Sequence, residues 1–104
     1  MYYIYILRCD DNSLYTGITT DIKKRFEEHF FKKANCAKYT KSRNVIALEA
    51  LWSAKNRSDA SKLEYSIKRL SKAEKEELVK APQKVNIVFP NIADISVCDA
   101  KNSV

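Results

Sequence analysis

The sequence has 104 residues, enough for one domain with a single hydrophobic core and too few for two. Hydrophobic residues make up 45% and charged residues 31% of the chain, which excludes a disordered protein and fits a globular one. The formal net charge is +6, and residues 81–104 carry none of the excess because their two lysines balance two aspartates. A basic surface on residues 1–80 is typical of a protein that binds a phosphate backbone.

The cysteines and the N-terminus indicate the compartment. Cys9, Cys36 and Cys98 form no C-x-x-C pair, and one histidine with scattered thiols is too few ligands for zinc. We expect free, reduced thiols, as in an intracellular protein. The apolar N-terminus has no basic n-region or cleavage site and is too short to span a membrane. We therefore expect a cytoplasmic protein in a bacterium, or one in the host nucleus or cytoplasm in a virus, neither secreted nor membrane-bound.

The first elements predicted are two strands. Residues 2–8 are aromatic and β-branched, which favours a buried strand. Residues 10–13 are aspartate, asparagine and serine, which favour a hairpin turn, and residues 14–19 return as the second strand.

The faces of this hairpin carry polar aromatic residues. Alternation puts Tyr3 and Tyr5 on one face of the first strand, and Tyr15 and Gly17 on one face of the second. The sequence does not fix whether the two pairs share a side, because the hairpin register is open. Gly17 is the only glycine in the chain, and we expect it to mark a bulge or a close approach of another group.

A helix is predicted from Asp21 to Lys32, capped by Thr19 or Thr20. The spacing predicts an inward stripe and an outward charged row, formed by Ile22, Phe26, His29 and Phe30 and by Lys24, Glu28 and Lys32 respectively. Arg25 lies at the edge of the stripe, so it should meet His29 on one side of the helix.

The later elements complete the predicted fold. We expect a third strand at Asn44–Ala54, a helix from a Ser58 cap to Leu70, and a short helix to Lys80 that begins with a capping box of Ser71 and Glu74. The apolar run at residues 85–89 favours an edge strand. The predicted class is α/β (α+β), with a three-stranded antiparallel sheet flanked by helices in the order β-β-α-β-α-α. Residues 1–80 form the domain, and residues 81–104 a partly extended, frayed tail.

A basic segment lies between these elements, at residues 32–43. It holds Lys32, Lys33, Lys38, Lys41 and Arg43 without an acidic residue. We interpret Lys38, Tyr39, Thr40 and Arg43 as nucleic-acid contacts, with Tyr39 able to stack on a base. A solvated basic loop explains the composition equally well.

Several of these residues together resemble a known family. The triplet Tyr3-Ile4-Tyr5, the triplet Tyr15-Thr16-Gly17, Arg25 and His29 on the following helix and Glu64 on a later one resemble the GIY-YIG nuclease superfamily. The similarity covers residues 1 to about 80 and is greatest to a small single-domain branch of bacterial and viral proteins. Tyr3 stands where many members have glycine, and Thr16 where many have isoleucine. We expect this protein to act without the separate DNA-binding domain that many members carry.

The resemblance implies roles for the matching residues. Tyr5 and Tyr15 correspond to the active-site tyrosines, Arg25 to the essential arginine, His29 to the helical histidine and Glu64 to the carboxylate that binds Mg²⁺ or Mn²⁺. The implied reaction is phosphodiester hydrolysis by a metal-dependent endonuclease. A guanidinium suits the charge that develops on phosphoryl oxygens, and Mg²⁺ often needs one or two protein carboxylates. The general base is either Tyr5 or His29.

Purely structural roles are alternatives for the same residues. The tyrosines can be ordinary aromatic residues of strands, and His29 can be a histidine at the edge of the core. Glu64 and Lys68 can form an ordinary helical ion pair. We also place Lys68 among the predicted nucleic-acid contacts.

Other functions stand beside the enzyme. One alternative is a nucleic-acid-binding module without turnover, and a weaker one is a protein-interaction domain that uses its tail. For the enzyme we expect DNA rather than RNA as substrate, nicking or structure-selective cleavage in repair, recombination or processing, a monomer or weak dimer, and a protein partner that supplies specificity.

Overall fold

The computed structural model describes residues 1–32 and 37–104. Its strands are β1 (Tyr2–Cys9), β2 (Leu14–Thr19), β3 (Val45–Ala54) and β4 (Ser96–Cys98). Its helices are α1 (Ile22–Phe30), α2 (Lys38–Lys41), α3 (Arg57–Lys68), α4 (Lys72–Lys80) and α5 (Val85–Val88), with a 3₁₀ turn at Pro82–Lys84 before α5. The α+β class is confirmed.

The sheet has four antiparallel strands, in the order β2-β1-β3-β4, so the prediction of three strands in the order β-β-α-β-α-α is wrong. The added strand, β4, pairs with β3 through Leu51 and Cys98. The run predicted as an edge strand is instead helical at Val85–Val88 and buries Val85. Pro82 explains the difference, because a proline in the first turn favours a helical start.

The hairpin register settles the question that the sequence left open. Tyr5 pairs with Gly17 and Leu7 pairs with Tyr15, so all four residues lie on the same face of the sheet. The turn passes through Asn12 at φ 68°, a left-handed conformation that asparagine tolerates. One face of the hairpin therefore gathers the polar aromatic residues.

Each face of the sheet has its own apolar cluster. On one face, Ile4, Ile6 and Trp52 pack with residues of α3, α4 and the C-terminal segment. On the other face, Tyr5, Leu7, Cys9, Val45, Leu48 and Leu51 pack with Ile22 and Phe26 of α1. The functional candidates on β1, β2 and α1 belong to this second cluster.

The helix caps agree with the predictions at one position and differ at two. The capping box of Ser71 and Glu74 is confirmed. Asp21 rather than Thr19 or Thr20 caps α1, and Asn56 rather than Ser58 caps α3. Aspartate is a better N-cap than threonine, which favours Asp21, whereas asparagine and serine cap equally well and the position of the cap at Asn56 is set by where α3 begins.

The faces of α1 differ from the prediction at two positions. Phe30, predicted to face inward, is 45% exposed and stacks on Phe26. Glu28, predicted in the outward charged row, is buried. The helix ends at Phe30, so His29 is its last buried residue and Phe30 lies beyond the core.

The C-terminal segment packs on the domain. The indole N–H of Trp52 donates to the carbonyl of Pro82 at 2.9 Å, and Val85 and Ile95 are buried in the first cluster. The boundary at residue 80 stays a prediction. No helix in the described part of the chain is both long and apolar enough to cross a membrane.

Candidate active site

The site begins with the packing of Tyr5 against Gly17. A Cβ atom placed on Gly17 would lie 2.3 Å from the hydroxyl oxygen of Tyr5 and 2.5 Å from its Cζ. Gly17 does not have a positive φ, so the glycine is required for space rather than for backbone conformation. It leaves room for the Tyr5 side chain to lie directly across β2.

Replacing Gly17 by alanine should therefore destabilise the protein by about 1–3 kcal/mol, the usual cost of overpacking a core. The free energy of unfolding in urea measures the effect. In a Tyr5→Leu background the ring is absent, so the same methyl group should cost much less. An equal cost in both backgrounds would contradict the clash with Tyr5.

A buried hydrogen-bonded chain leads away from the Tyr5 hydroxyl. Its oxygen lies 2.9 Å from Nε2 of His29, and Nδ1 of His29 lies 2.8 Å from the Thr40 hydroxyl. The Thr40 hydroxyl in turn donates to the carbonyl of Ala37 at 3.0 Å. His29 and Thr40 are 0% exposed and Tyr5 is 1% exposed, so bulk solvent does not reach the two inner residues of the chain.

Burial sets the protonation states along this chain. Burial raises the pKa of Tyr5 above its ordinary value, a hydrogen bond from Arg25 opposes that rise, and the charge of Glu64 adds to it slightly. Burial and the charge of Arg25 lower the pKa of His29 to about 4, against a small opposing effect of Glu28. At neutral pH the tyrosine is a phenol and the histidine a neutral imidazole.

Arg25 pairs with a buried carboxylate beside Tyr5. Its Nη1 lies 3.1 Å from Oε1 of Glu28, and the guanidinium is close enough to Tyr5 to oppose the rise of the phenol's pKa. The Arg25 side chain is 24% exposed, so one side of the guanidinium reaches the surface. A partly exposed guanidinium held by a carboxylate and a phenol is well placed to receive an anion.

Tyr15 forms the adjacent wall of the site. Its ring centroid lies 5.4 Å from His29, 6.3 Å from Tyr5 and 5.4 Å from Tyr39. The ammonium group of Lys68 lies 5.9 Å from the Tyr15 ring. The wall therefore connects the hairpin and α1 with α2 and α3.

Glu64 is suited to bind a hard cation such as Mg²⁺. Its carboxylate is 22% exposed and pairs with the half-exposed amine of Lys68 at 3.4 Å. Among the described residues there is no group of three or more His, Cys, Asp or Glu side chains that would hold an ion by themselves. Mg²⁺ retains several waters and binds through one or two carboxylates plus substrate phosphate, so a lone Glu64 matches its requirements.

The predicted nucleic-acid residues separate into two groups. Arg43 pairs with Asp11 at 2.9 Å and lies 3.9 Å over the Tyr39 ring, and Lys38 is exposed on α2. Thr40 is completely buried, so the structure places it behind His29 rather than at a surface that a nucleic acid can contact. The predicted basic residue Lys33 lies outside the described residues.

Two partners in this site were missed in the sequence. Glu28 was assigned to the solvent side of α1, and no signal distinguished it from the exposed Lys24 one turn earlier. The carbonyl of Ala37 carries no side-chain signature at all. The position of His29 on an apolar stripe was the available signal, because a buried imidazole needs partners for both nitrogens.

Comparison with known proteins identifies the family of this chain. A family model described as the GIY-YIG catalytic domain matches residues 1–77. The chain therefore belongs to the GIY-YIG family, which indicates a nuclease that acts on nucleic acid and typically uses a divalent metal ion.

The similar proteins define the branch more narrowly. A UPF0213 protein of Fusobacterium nucleatum is 41% identical over 92% of this chain and 94% of its own length. Another from Desulfotalea psychrophila is 47% identical over 86% of this chain and 83% of its own length. The solution NMR structure of a UPF0213 protein from Bacillus halodurans matches with a TM-score of 0.50 and 40% identity, covering 83% of this chain and 94% of that one. Within the family, the chain is similar to the UPF0213 proteins.

Proposed function

We propose that this protein is a divalent-metal-dependent endonuclease that hydrolyses phosphodiester bonds in DNA. The observation that carries the proposal is the buried hydrogen bond between the Tyr5 hydroxyl and Nε2 of His29, beside the Arg25 guanidinium that influences the pKa of both groups. A small core does not require a buried phenol and imidazole beside a partly exposed arginine. Each of the three has a use in the hydrolysis of a phosphodiester.

Tyr5 and His29 act in series as the general base. His29 is completely buried and both of its ring nitrogens are hydrogen-bonded, so a substrate water reaches it only through Tyr5. Burial disfavours a free phenolate at Tyr5 and a free imidazolium at His29. A relay in which the phenol gains one proton as it gives up another avoids the phenolate.

The relay moves protons in a fixed order during hydrolysis. A water molecule gives one proton to the Tyr5 oxygen while the Tyr5 phenolic proton moves to Nε2 of His29. The water oxygen forms a bond to phosphorus, and the bond from phosphorus to the leaving sugar oxygen breaks with its electron pair. The leaving oxygen takes a proton from a second water, and the hydroxide that remains takes the proton that His29 returns through Tyr5.

Arg25 and Glu64 provide the electrostatics. The guanidinium of Arg25 stabilises the negative charge that grows on the phosphoryl oxygens in the transition state. Glu64 would hold Mg²⁺ or Mn²⁺, which polarises the phosphoryl group and stabilises the leaving oxygen when bound. The position of Lys68 between Glu64 and the Tyr15 ring gives it a role in contacting the substrate backbone.

The proposed substrate follows from the presence of one set of catalytic residues in the chain. One set of catalytic residues cuts one strand, so the protein nicks DNA or selects a branched or damaged structure, as in repair, recombination or processing. Exposed Lys38 and Lys41 on α2 and half-exposed Lys68 provide phosphate contacts. The proposed form is a monomer or weak dimer with a protein partner that supplies specificity.

The test is cleavage of supercoiled plasmid and branched oligonucleotides with Mg²⁺, Mn²⁺ or EDTA. We expect metal-dependent cutting by the wild type and a loss of about 10²-fold or more in Arg25→Ala and in Glu64→Gln. Glu77→Gln is the matched control, because Glu77 is an exposed glutamate on α4 whose nearest cation, Lys80, lies 3.8 Å away.

Two results would contradict the enzyme. Equal cutting by Arg25→Ala and wild type would remove Arg25 from the reaction. Salt-sensitive binding by all variants without cutting of any substrate would favour the binding module instead.

A further inference from the structure

Thr40 lies directly behind His29, and its hydroxyl makes two hydrogen bonds. One connects it to Nδ1 of His29 at 2.8 Å, and the other connects it to the carbonyl oxygen of Ala37 at 3.0 Å. Thr40 itself is 0% exposed, so water does not compete for these bonds. The hydroxyl has one hydrogen to share between the two neighbours.

The carbonyl of Ala37 determines where that hydrogen goes. A carbonyl oxygen only accepts, so the bond between the two oxygens requires the hydroxyl hydrogen of Thr40. The Thr40 oxygen is then an acceptor toward His29, and Nδ1 must carry the proton. Because the buried imidazole is neutral, Nε2 has no proton and accepts from the Tyr5 hydroxyl.

From this geometry we infer that Thr40 is a positioning residue that holds His29 in the Nδ1–H tautomer and thereby aims the lone pair of Nε2 at the Tyr5 hydroxyl. The hydrogen bonds run in one direction, from Tyr5 to His29 to Thr40 to the backbone of α2. This assignment deepens the proposed nuclease function, because it fixes which atom receives the proton.

The opposite tautomer would disable the relay. With the proton on Nε2, His29 would donate to the Tyr5 oxygen and hold no lone pair toward it, so Tyr5 would have nowhere to send its proton. The chain would also lose the bond to Thr40 or the bond to Ala37, because two acceptors would then face one another. Thr40 therefore acts on the reaction only through His29.

NMR of the imidazole tests the assignment without any nuclease activity. His29 is the only histidine in the chain, so a protein labelled with ¹⁵N histidine gives one pair of ring nitrogens. A nitrogen with a proton and one without resonate in well separated ranges. We expect a protonated Nδ1 and an unprotonated Nε2 in the wild type at neutral pH.

Two variants separate the hydroxyl from the shape of the residue. Thr40→Val keeps the shape and removes the acceptor, so the ratio of the two tautomers should fall about tenfold, which is the effect of one hydrogen bond. Thr40→Ser keeps the hydroxyl and should restore the wild-type spectrum. Single-turnover cleavage should follow the same order.

The NMR spectra of the wild type and of Thr40→Val can each contradict part of this inference. A protonated Nε2 in the wild type would overturn the assignment, and this measurement does not depend on any variant folding. An unchanged tautomer ratio in Thr40→Val would remove Thr40 as the cause. If the expected spectra are found and no DNA is cut, the tautomer assignment stands and the nuclease proposal fails.

Discussion

Replacing Tyr5 by phenylalanine should lower the single-turnover rate of DNA cleavage by about 10²- to 10⁴-fold, the usual contribution of a positioned general base. The substitution removes the oxygen that connects substrate water to His29 and leaves the ring against Gly17. The phenol also satisfies Nε2 of His29, so the variant should lose about 1–3 kcal/mol of stability. Its thermal unfolding should remain cooperative.

Tyr2→Phe is the matched control for this prediction. Tyr2 lies on the same strand but packs against the cluster on the opposite face of the sheet. The control should cut at the wild-type rate. A Tyr5→Phe protein that cuts as fast as Tyr2→Phe would show that the phenol has no part in proton transfer, and the base would have to be sought elsewhere.

The elements around the site could be predicted because their sequence signals are local. The aromatic and β-branched residues of β1, the turn residues before β2 and the capping box of Ser71 and Glu74 are each read from neighbouring residues. The fourth strand could not be predicted in the same way, because Ser96–Cys98 is three residues long and pairs with a strand far away in the chain. Its existence depends on tertiary packing.

In the candidate site too, the residues could be predicted from the sequence, but their contacts depend on tertiary structure. The resemblance to the family motif predicts the tyrosines, Arg25, His29 and Glu64 as site residues. Their mutual contacts required the hairpin register, since a shift of one residue would move Tyr15 to the other face. The sequence predicts Thr40 as a surface contact because basic residues surround it, whereas Thr40 is buried, and its burial depends on where α2 packs.

His29 should make the stability of the protein depend on pH between about 4 and 6.5. Its pKa is about 4 in the folded chain and about 6.5 when unfolded, so the unfolded chain binds more protons across this range. Protonation therefore favours unfolding, and the stabilisation present above pH 6.5 is lost as the pH falls toward 4. The full loss corresponds to about 3 kcal/mol.

Urea unfolding of the wild type and of His29→Gln at pH 7 and pH 4 measures this loss. Carboxylates also titrate in this range, but they are the same in both proteins, so the difference between the two pH dependences reports the histidine. NMR titration of the single imidazole gives its pKa directly. Arg25 lowers the pKa of His29 and Glu28 raises it, while Tyr5 is hydrogen-bonded to one ring nitrogen. A measured pKa near 6.5 would mean that this cluster opens in solution. The buried relay would then not persist there.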